Sequence, residues 1–122
     1  MQGLPKTIDL TPLVWREIQE ISAHKFGAQL SFDIENPRIS IGIESSEVIF
    51  TDSNGIATKI DDLRTKGGVL LLLLGLTVES ATRREDGGLT LDMSSSIRVE
   101  VINDSPMYEV LQLQIGDNLI VG

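Results

Sequence analysis

Residues 29–34, Gln-Leu-Ser-Phe-Asp-Ile, alternate polar and apolar side chains, and this stretch decides the fold class. Alternation with a period of two is typical of a β-strand that buries one of its faces. Residues 36–37, Asn-Pro, break the run, because proline cannot donate to a strand ladder. The alternation resumes at 39–43, Ile-Ser-Ile-Gly-Ile, so the sequence predicts a hairpin with one apolar face.

The same pattern returns about 60 residues further along the chain. Three segments of the first half have a counterpart in the second: 29–34 with 88–93, 39–43 with 97–101, and 47–49 with 109–111. Two copies are fewer than the three or more units that solenoids stack, so a duplicated half-domain is the better interpretation. We predict a single domain over 1–122, with repeats at about 14–52 and 75–121 and a linker at about 53–74.

Antiparallel strands account for most of the predicted structure. They are predicted near residues 28–35, 38–44, 47–52, 77–84, 88–93, 97–102, 107–115 and 118–121. Turn signals separate them, among them Ser-Asn-Gly at 53–55 and Asp-Gly at 86–87. The predicted class is α+β, mainly β, with two repeated antiparallel β units that form either a sandwich or a partly open barrel.

The apolar faces of the two hairpins are predicted to form the core. The residues concerned are Leu30, Phe32, Ile34, Ile39, Ile41, Ile43, Leu89, Leu91, Met93, Ile97, Val99 and Val101. In the second hairpin, Leu89, Leu91 and Met93 are expected to pair with Ile97, Val99 and Val101.

One helical segment is predicted near 60–74, where it would cover an open end of the β units. Thr58 or Asp61 could cap a helix over 63–74, and Gly75 would end it. The region 15–24 fits both helical spacing and the strand that the repeat predicts. We favour a short helical turn at 11–14 followed by a strand.

Composition excludes several classes of function. The chain has 122 residues, of which 18 are acidic and 10 basic, and a net charge of −8. Binding of phosphates needs clustered Lys and Arg, so nucleic acid is not expected as a partner. The absence of cysteine excludes disulfides, thiolate nucleophiles and cysteine-ligated metals.

The sequence predicts a cytoplasmic protein with no membrane partner. Residues 1–6 lack the apolar core of a signal peptide. The longest apolar run, 69–74, is six residues long, whereas about 20 are needed to span a bilayer.

Catalytic and metal motifs are incomplete throughout the sequence. His24 is the only histidine, and no nucleophile motif accompanies it. Residues 51–55 resemble a fragment of a calcium loop, but Asp61 stands where that loop needs glutamate. Asp33 and Asp92 match in the repeat, yet alternation places both on polar strand faces. We therefore predict no catalytic residue, no cofactor and no metal site, and a protein that is not an enzyme.

The excess of acidic residues lies on the two β units. Residues 27–62 carry a net charge of −5 and residues 87–122 carry −4. Such a surface either serves only to keep the protein soluble or attracts a basic protein partner and accelerates its association. The carboxylates predicted to take part in binding are Asp33, Glu35, Glu44, Asp92 and Glu100.

Two segments of the second half carry a resemblance to a known family. Residues 74–81, Leu-Gly-Leu-Thr-Val-Glu-Ser-Ala, are followed by Asp-Gly-Gly-Leu-Thr-Leu at 86–91 and Tyr-Glu-Val-Leu at 108–111. This pattern resembles a family of small uncharacterised bacterial proteins that look like immunity proteins of toxin systems, including contact-dependent inhibition.

The resemblance implies an immunity protein that binds and neutralises a cognate toxin domain, which we expect to be a basic nuclease. It supplies no catalytic residue. The alternative is a non-catalytic structural or adaptor module that acts through an exposed β edge or as a homodimer.

Overall fold

The protein is a sandwich of two five-stranded antiparallel sheets. The computed structural model describes residues 3–24, 27–32, 38–44, 47–103 and 110–122. Ten strands lie within these ranges: β1 Glu20–His24, β2 Gly27–Ser31, β3 Ile39–Glu44, β4 Val48–Thr51, β5 Ala57–Ile60, β6 Val78–Arg83, β7 Leu89–Met93, β8 Ile97–Val101, β9 Leu111–Ile115 and β10 Asn118–Val121. The predicted mainly-β class is confirmed, as a sandwich and not a barrel.

Each sheet contains strands from both halves of the chain. The first sheet has the order β1-β2-β3-β9-β10, and the second has the order β5-β4-β8-β7-β6. Each half therefore contributes a three-stranded meander to one sheet and a hairpin to the other. The exchanged hairpins pair β9 with β3 and β4 with β8, so neither sheet is complete without the other half.

The predicted pairing of the second hairpin is confirmed, and the first predicted hairpin is also formed. Leu91 lies opposite Val99 and Leu89 opposite Val101, while Leu30 lies opposite Ile41. Facing residues of an antiparallel pair project from the same side of the sheet, so these pairs present one apolar face.

The predicted core is buried between the sheets. The predicted core residues that are at most 1% exposed are Leu30, Phe32, Ile39, Ile41, Ile43, Leu89, Leu91, Met93, Val99 and Val101. Ile97 is only partly buried, because it begins β8 directly after the Ser94–Ser96 turn. Ile34 lies outside the described residues.

The helical segment is shorter and tighter than predicted. An α-helix, α1, spans only Leu63–Lys66, and a 3-10 helix follows over Gly67–Leu73. Two successive glycines disfavour a continuous α-helix, which explains the change. Thr58 is not a cap, because it lies in β5.

Strand β5 was not predicted. It lies in the stretch that the sequence assigned to the linker, and the Ser-Asn-Gly turn at 53–55 joins it to β4. The Asp52 carboxylate accepts hydrogen bonds from the backbone N–H groups of Asn54 and Ile56, at 2.9 and 3.0 Å. Only Ile60 of this strand is buried, so β5 carries no apolar alternation that could have revealed it.

The region before β1 agrees with the favoured prediction of a turn followed by a strand. Residues Thr11–Leu13 form a short 3-10 turn, and β1 begins at Glu20. Between them, residues 15–18 pair with residues 75–78, which lead into β6. We call this pairing the connector, since it joins the segments that lead into β1 and β6, an edge strand of each sheet.

Two residues of the connector have left-handed backbone geometry. Trp15 has φ +67° and donates its N–H to the Val78 carbonyl at 2.7 Å. Gly75 has φ +82° and donates its N–H to the Ile18 carbonyl at 2.8 Å. This geometry is that of a β-bulge whose first residue is normally glycine, so Trp15 occupies a position that disfavours side chains.

Replacing Trp15 by glycine is expected to stabilise the fold. Glycine adopts positive φ without a Cβ clash, and the gain offsets the greater freedom of glycine in the unfolded chain. Trp15→Gly should raise the free energy of unfolding by up to about 1 kcal/mol relative to Trp15→Ala. Urea denaturation followed by circular dichroism measures both variants. A glycine variant less stable than the alanine variant would contradict the strain at this position.

Candidate functional site

The structure separates the carboxylates that were predicted to bind a partner. Asp33 and Glu35 lie outside the described residues. Glu44 is half-buried at the end of β3 in the first sheet. Asp92 in β7 and Glu100 in β8 lie on adjacent strands of the second sheet.

Asp92 and Glu100 are both engaged in ion pairs within the protein. Asp92 accepts hydrogen bonds from Arg98 Nε at 2.7 Å and Ser80 Oγ at 3.0 Å. Glu100 accepts one from Arg84 Nη1 at 2.5 Å. These cations neutralise the two carboxylates, so this face of the second sheet is less acidic than the sequence suggested.

An apolar groove opens between β1, β2 and the helical segment. Its volume is about 480 Å³. Ile21 and Ala23 of β1 lie opposite Leu30 and Ala28 of β2, so they face the same side as these core residues. The opposite wall is formed by α1 and the 3-10 helix, including Leu63, Leu70 and Leu71. The groove is thus an incompletely covered part of the core face.

Three exposed leucines lie in or directly after the 3-10 helix that forms part of the groove wall. Leu71, Leu72 and Leu74 are 56%, 61% and 46% exposed, and Leu71 also lines the groove. Residues Leu70 and Leu73 of the same segment are buried, three positions apart. A 3-10 helix repeats every three residues, so it turns this pair inward and the intervening leucines outward. We call Leu71, Leu72 and Leu74 the leucine patch.

Strand β1 forms the remaining border of the groove and is the edge of its sheet. Among the strands of the described ranges, it pairs only with β2. Of its five residues, four are exposed and Ile21 is half-buried. His24, at the end of the strand, also lines the groove. An edge strand presents backbone N–H and carbonyl groups to which another chain can pair.

The sequence contains one indication of this surface, although the segment near 60–74 is predicted above only to cover an open end of the β units. The six consecutive apolar residues at 69–74 cannot all face inward from a helical segment, since such a segment presents one side to the core. Which leucines are exposed depends on the change from α-helix to 3-10 helix at Gly67.

Two other hollows on the described surface are polar. One, of about 310 Å³, lies on the outer face of the first sheet and is lined mainly by three glutamines, Ser40 and Arg38, with Leu119 as its one large apolar residue. The other, of about 380 Å³, contains the Asp92–Arg98 pair. Neither combines an apolar lining with exposed apolar neighbours, so the groove is the stronger candidate for a binding site.

No group of three potential metal-ligating side chains is found among the described residues. In the same part of the chain, no helix has the length and apolar character needed to cross a membrane.

An exposed ion pair joins Asp61, just before α1, to Lys66, the last residue of α1. Lys66 Nζ donates a hydrogen bond to Asp61 Oδ1 at 2.9 Å. This contact holds the pKa of Asp61 below its ordinary value and the pKa of Lys66 above its ordinary value. The contribution of Asp61 to stability is present above the ordinary carboxyl pKa and is lost as the pH falls through the lowered folded value. The contribution of Lys66 to stability is lost as the pH rises through the raised pKa of Lys66 in the folded protein.

Replacing Lys66 by methionine should return the pKa of Asp61 toward its ordinary value. A carboxyl-detected NMR titration measures this shift directly. Lys59→Met is the matched control, because Lys59 contributes only weakly to the lowered pKa of Asp61. Equal shifts in the two variants would contradict the assigned hydrogen bond.

Comparison with family models, with curated proteins and with solved structures finds no match to this chain. The site must therefore be interpreted from its own residues.

Proposed function

We propose that this chain is a cytoplasmic immunity protein that binds and neutralises a cognate bacterial toxin domain, a basic nuclease, and that it is not an enzyme. The observation that carries the proposal is the leucine patch beside the apolar groove. We assign this face as the toxin-binding surface.

Exposed leucines at three of four consecutive positions favour a protein interface. Contiguous apolar surface next to a groove is typical of binding sites for proteins or ligands. The centre of a protein interface is depleted of charge. Among the described residues, the groove lining consists of apolar side chains, glycines and His24. The patch supplies the apolar centre that a tight inhibitor needs.

The net charge supports a basic partner. A chain of charge −8 attracts a cationic protein over long range and raises its association rate. Nucleases that hold nucleic acid carry clustered Lys and Arg, so an acidic inhibitor complements them. Asp33, Glu35 and Glu44, which the sequence predicts to bind the partner, are proposed to contribute to this attraction. The sequence resemblance to immunity proteins agrees with it.

Co-expression tests the proposal. An immunity gene is expected directly downstream of its toxin gene, so the candidate toxin domain is taken from the gene directly upstream. This domain would be induced in bacteria with and without this chain. We expect growth arrest by the toxin domain alone and recovery of growth with the chain, together with a complex that co-purifies. No recovery and no complex would contradict the proposed function.

The exposed edge of β1 favours a second candidate, a structural or adaptor module that acts as a homodimer. Five residues of accessible edge strand allow antiparallel pairing between two copies. Light scattering after size exclusion would show a dimer that Ala23→Pro abolishes, because proline blocks pairing at a strand edge. A monomer at all concentrations would remove this candidate.

A further inference from the structure

Trp15 is the only tryptophan in the chain and is almost fully outside the core. Its side chain is 73% exposed, the highest value among the exposed large apolar residues of the described chain. Tryptophan buries a large area when it is covered and is enriched among residues that dominate binding energies. An exposed tryptophan on an acidic protein is therefore a candidate anchor.

The position of Trp15 in the fold requires no tryptophan. The other half of the connector places Gly75 in the same hydrogen-bonded, left-handed position. Glycine meets the backbone demand of this bulge, and Trp15 adds no buried packing in exchange. Folding alone does not account for an indole at this place.

Two carboxylates accompany Trp15 on the connector. Glu17 lies two residues further along the same strand and pairs with Thr77. Glu79 follows Val78, the residue whose carbonyl accepts the Trp15 N–H. Both glutamates are exposed.

This combination favours a cationic side chain as the occupant. The face of an indole attracts ammonium and guanidinium groups more strongly than other aromatic rings do. Exposed carboxylates on both strands add ion pairs to the same cation, and the net charge of −8 repels acidic partners. For the same reason, a second copy of this acidic chain is a poorer occupant of the face around Trp15 than a basic partner is.

We infer that Trp15 is an anchor of the partner interface, which takes a Lys or Arg side chain of the basic partner between Glu17 and Glu79. The inference rests on the proposed function, since the partner is the toxin domain. It adds a second contact to the leucine patch. Three strand residues, about 10 Å, separate Trp15 from Ile18, which is hydrogen-bonded to Gly75 beside Leu74. A standard interface, about 800 Å² on each partner, is wide enough to cover that distance.

The test measures binding of the neighbouring toxin domain to the unchanged chain and to five variants by surface plasmon resonance. Trp15→Ala and Trp15→Gly should weaken affinity by about 30-fold or more, the loss expected for an interface anchor. Trp15→Phe should lose less, because it keeps an aromatic face. The double variant Glu17→Gln with Glu79→Gln should slow association several-fold and reduce its dependence on salt.

Ile56→Ala is the matched control, since Ile56 is also an exposed apolar residue but lies at the β4–β5 turn. It should bind as the unchanged protein does. Circular dichroism would check that each variant is folded.

The outcomes separate this inference from the proposed function. If the unchanged chain binds the toxin domain and the Trp15 variants bind equally well, the anchor is wrong and the proposed function stands. If the unchanged chain does not bind, both are wrong. Loss of binding in Trp15→Gly, with its backbone relieved and its fold intact, would support the anchor.

Discussion

Gly88→Ala is expected to destabilise the protein by about 3 kcal/mol, near the upper end of the usual cost of overpacking. A Cβ atom at Gly88 would lie 2.0 Å from the Val101 carbonyl oxygen. The obstacle is backbone, so relief requires β7 and β8 to move apart. A Cβ atom added at Gly27 would likewise lie 1.9 Å from the Ile43 carbonyl oxygen. The two halves therefore share this close approach, and Gly27→Ala should have a similar effect.

Gly68→Ala is the control for this prediction. Gly68 has nothing within 4 Å of an added Cβ atom, so its substitution should change stability by no more than about 0.5 kcal/mol. Urea denaturation followed by circular dichroism compares the three variants with the unchanged chain. A Gly88→Ala variant as stable as Gly68→Ala would contradict the close approach of Gly88 to the Val101 carbonyl group.

Leu72→Asp is expected to abolish most binding of the toxin domain while leaving the fold intact. Leu72 is 61% exposed at the centre of the leucine patch, so a carboxylate there remains solvated in the free protein. In a complex, the same carboxylate would be buried without a designed partner. We expect a loss of about 2 kcal/mol or more, which is about 30-fold in affinity.

Ile56→Asp controls for the change of charge. Ile56 is 63% exposed, close to the value of Leu72, but it lies at the turn between β4 and β5. Calorimetric titration with the toxin domain should show unchanged affinity for this variant. Equal losses in the two variants would indicate a general electrostatic effect, and retained binding by Leu72→Asp would contradict the assigned surface.

The strand hairpins could be predicted because their alternation is complete and their partners are adjacent in sequence. Leu91 and Val99 are separated by one short turn, so their pairing follows from local pattern. The exchange of hairpins between the sheets could not be predicted, because pairing of β3 with β9 depends on packing between distant halves. The correspondence of the two halves is visible in the strand order, while their origin by duplication stays a prediction.

Alternation alone does not determine how the two halves of the chain align with each other. The sequence aligns Leu30 with Leu89 and Ile41 with Val99. In the sheets, Leu30 lies opposite Ile41 and Leu91 lies opposite Val99, so Leu30 corresponds to Leu91. A shift of two residues keeps every side chain on the same face, and the apolar pattern therefore does not distinguish the two alignments.

The candidate site was less predictable than the fold. The charges of Asp92 and Glu100 are visible in the sequence, but their neutralisation depends on Arg98 and Arg84 in the folded sheet. The leucine patch depends on a local change of helix type. The left-handed geometry of Trp15 depends on its pairing with Val78, which is distant in sequence.

Hydrogen–deuterium exchange of the complex with the neighbouring toxin domain tests the central claim most directly. We predict that complex formation protects backbone amides in residues 67–74 and 20–24, which border the groove. Protection confined to β7 and β8, around Asp92 and Glu100, would contradict the assignment of the groove and leucine patch as the toxin-binding surface.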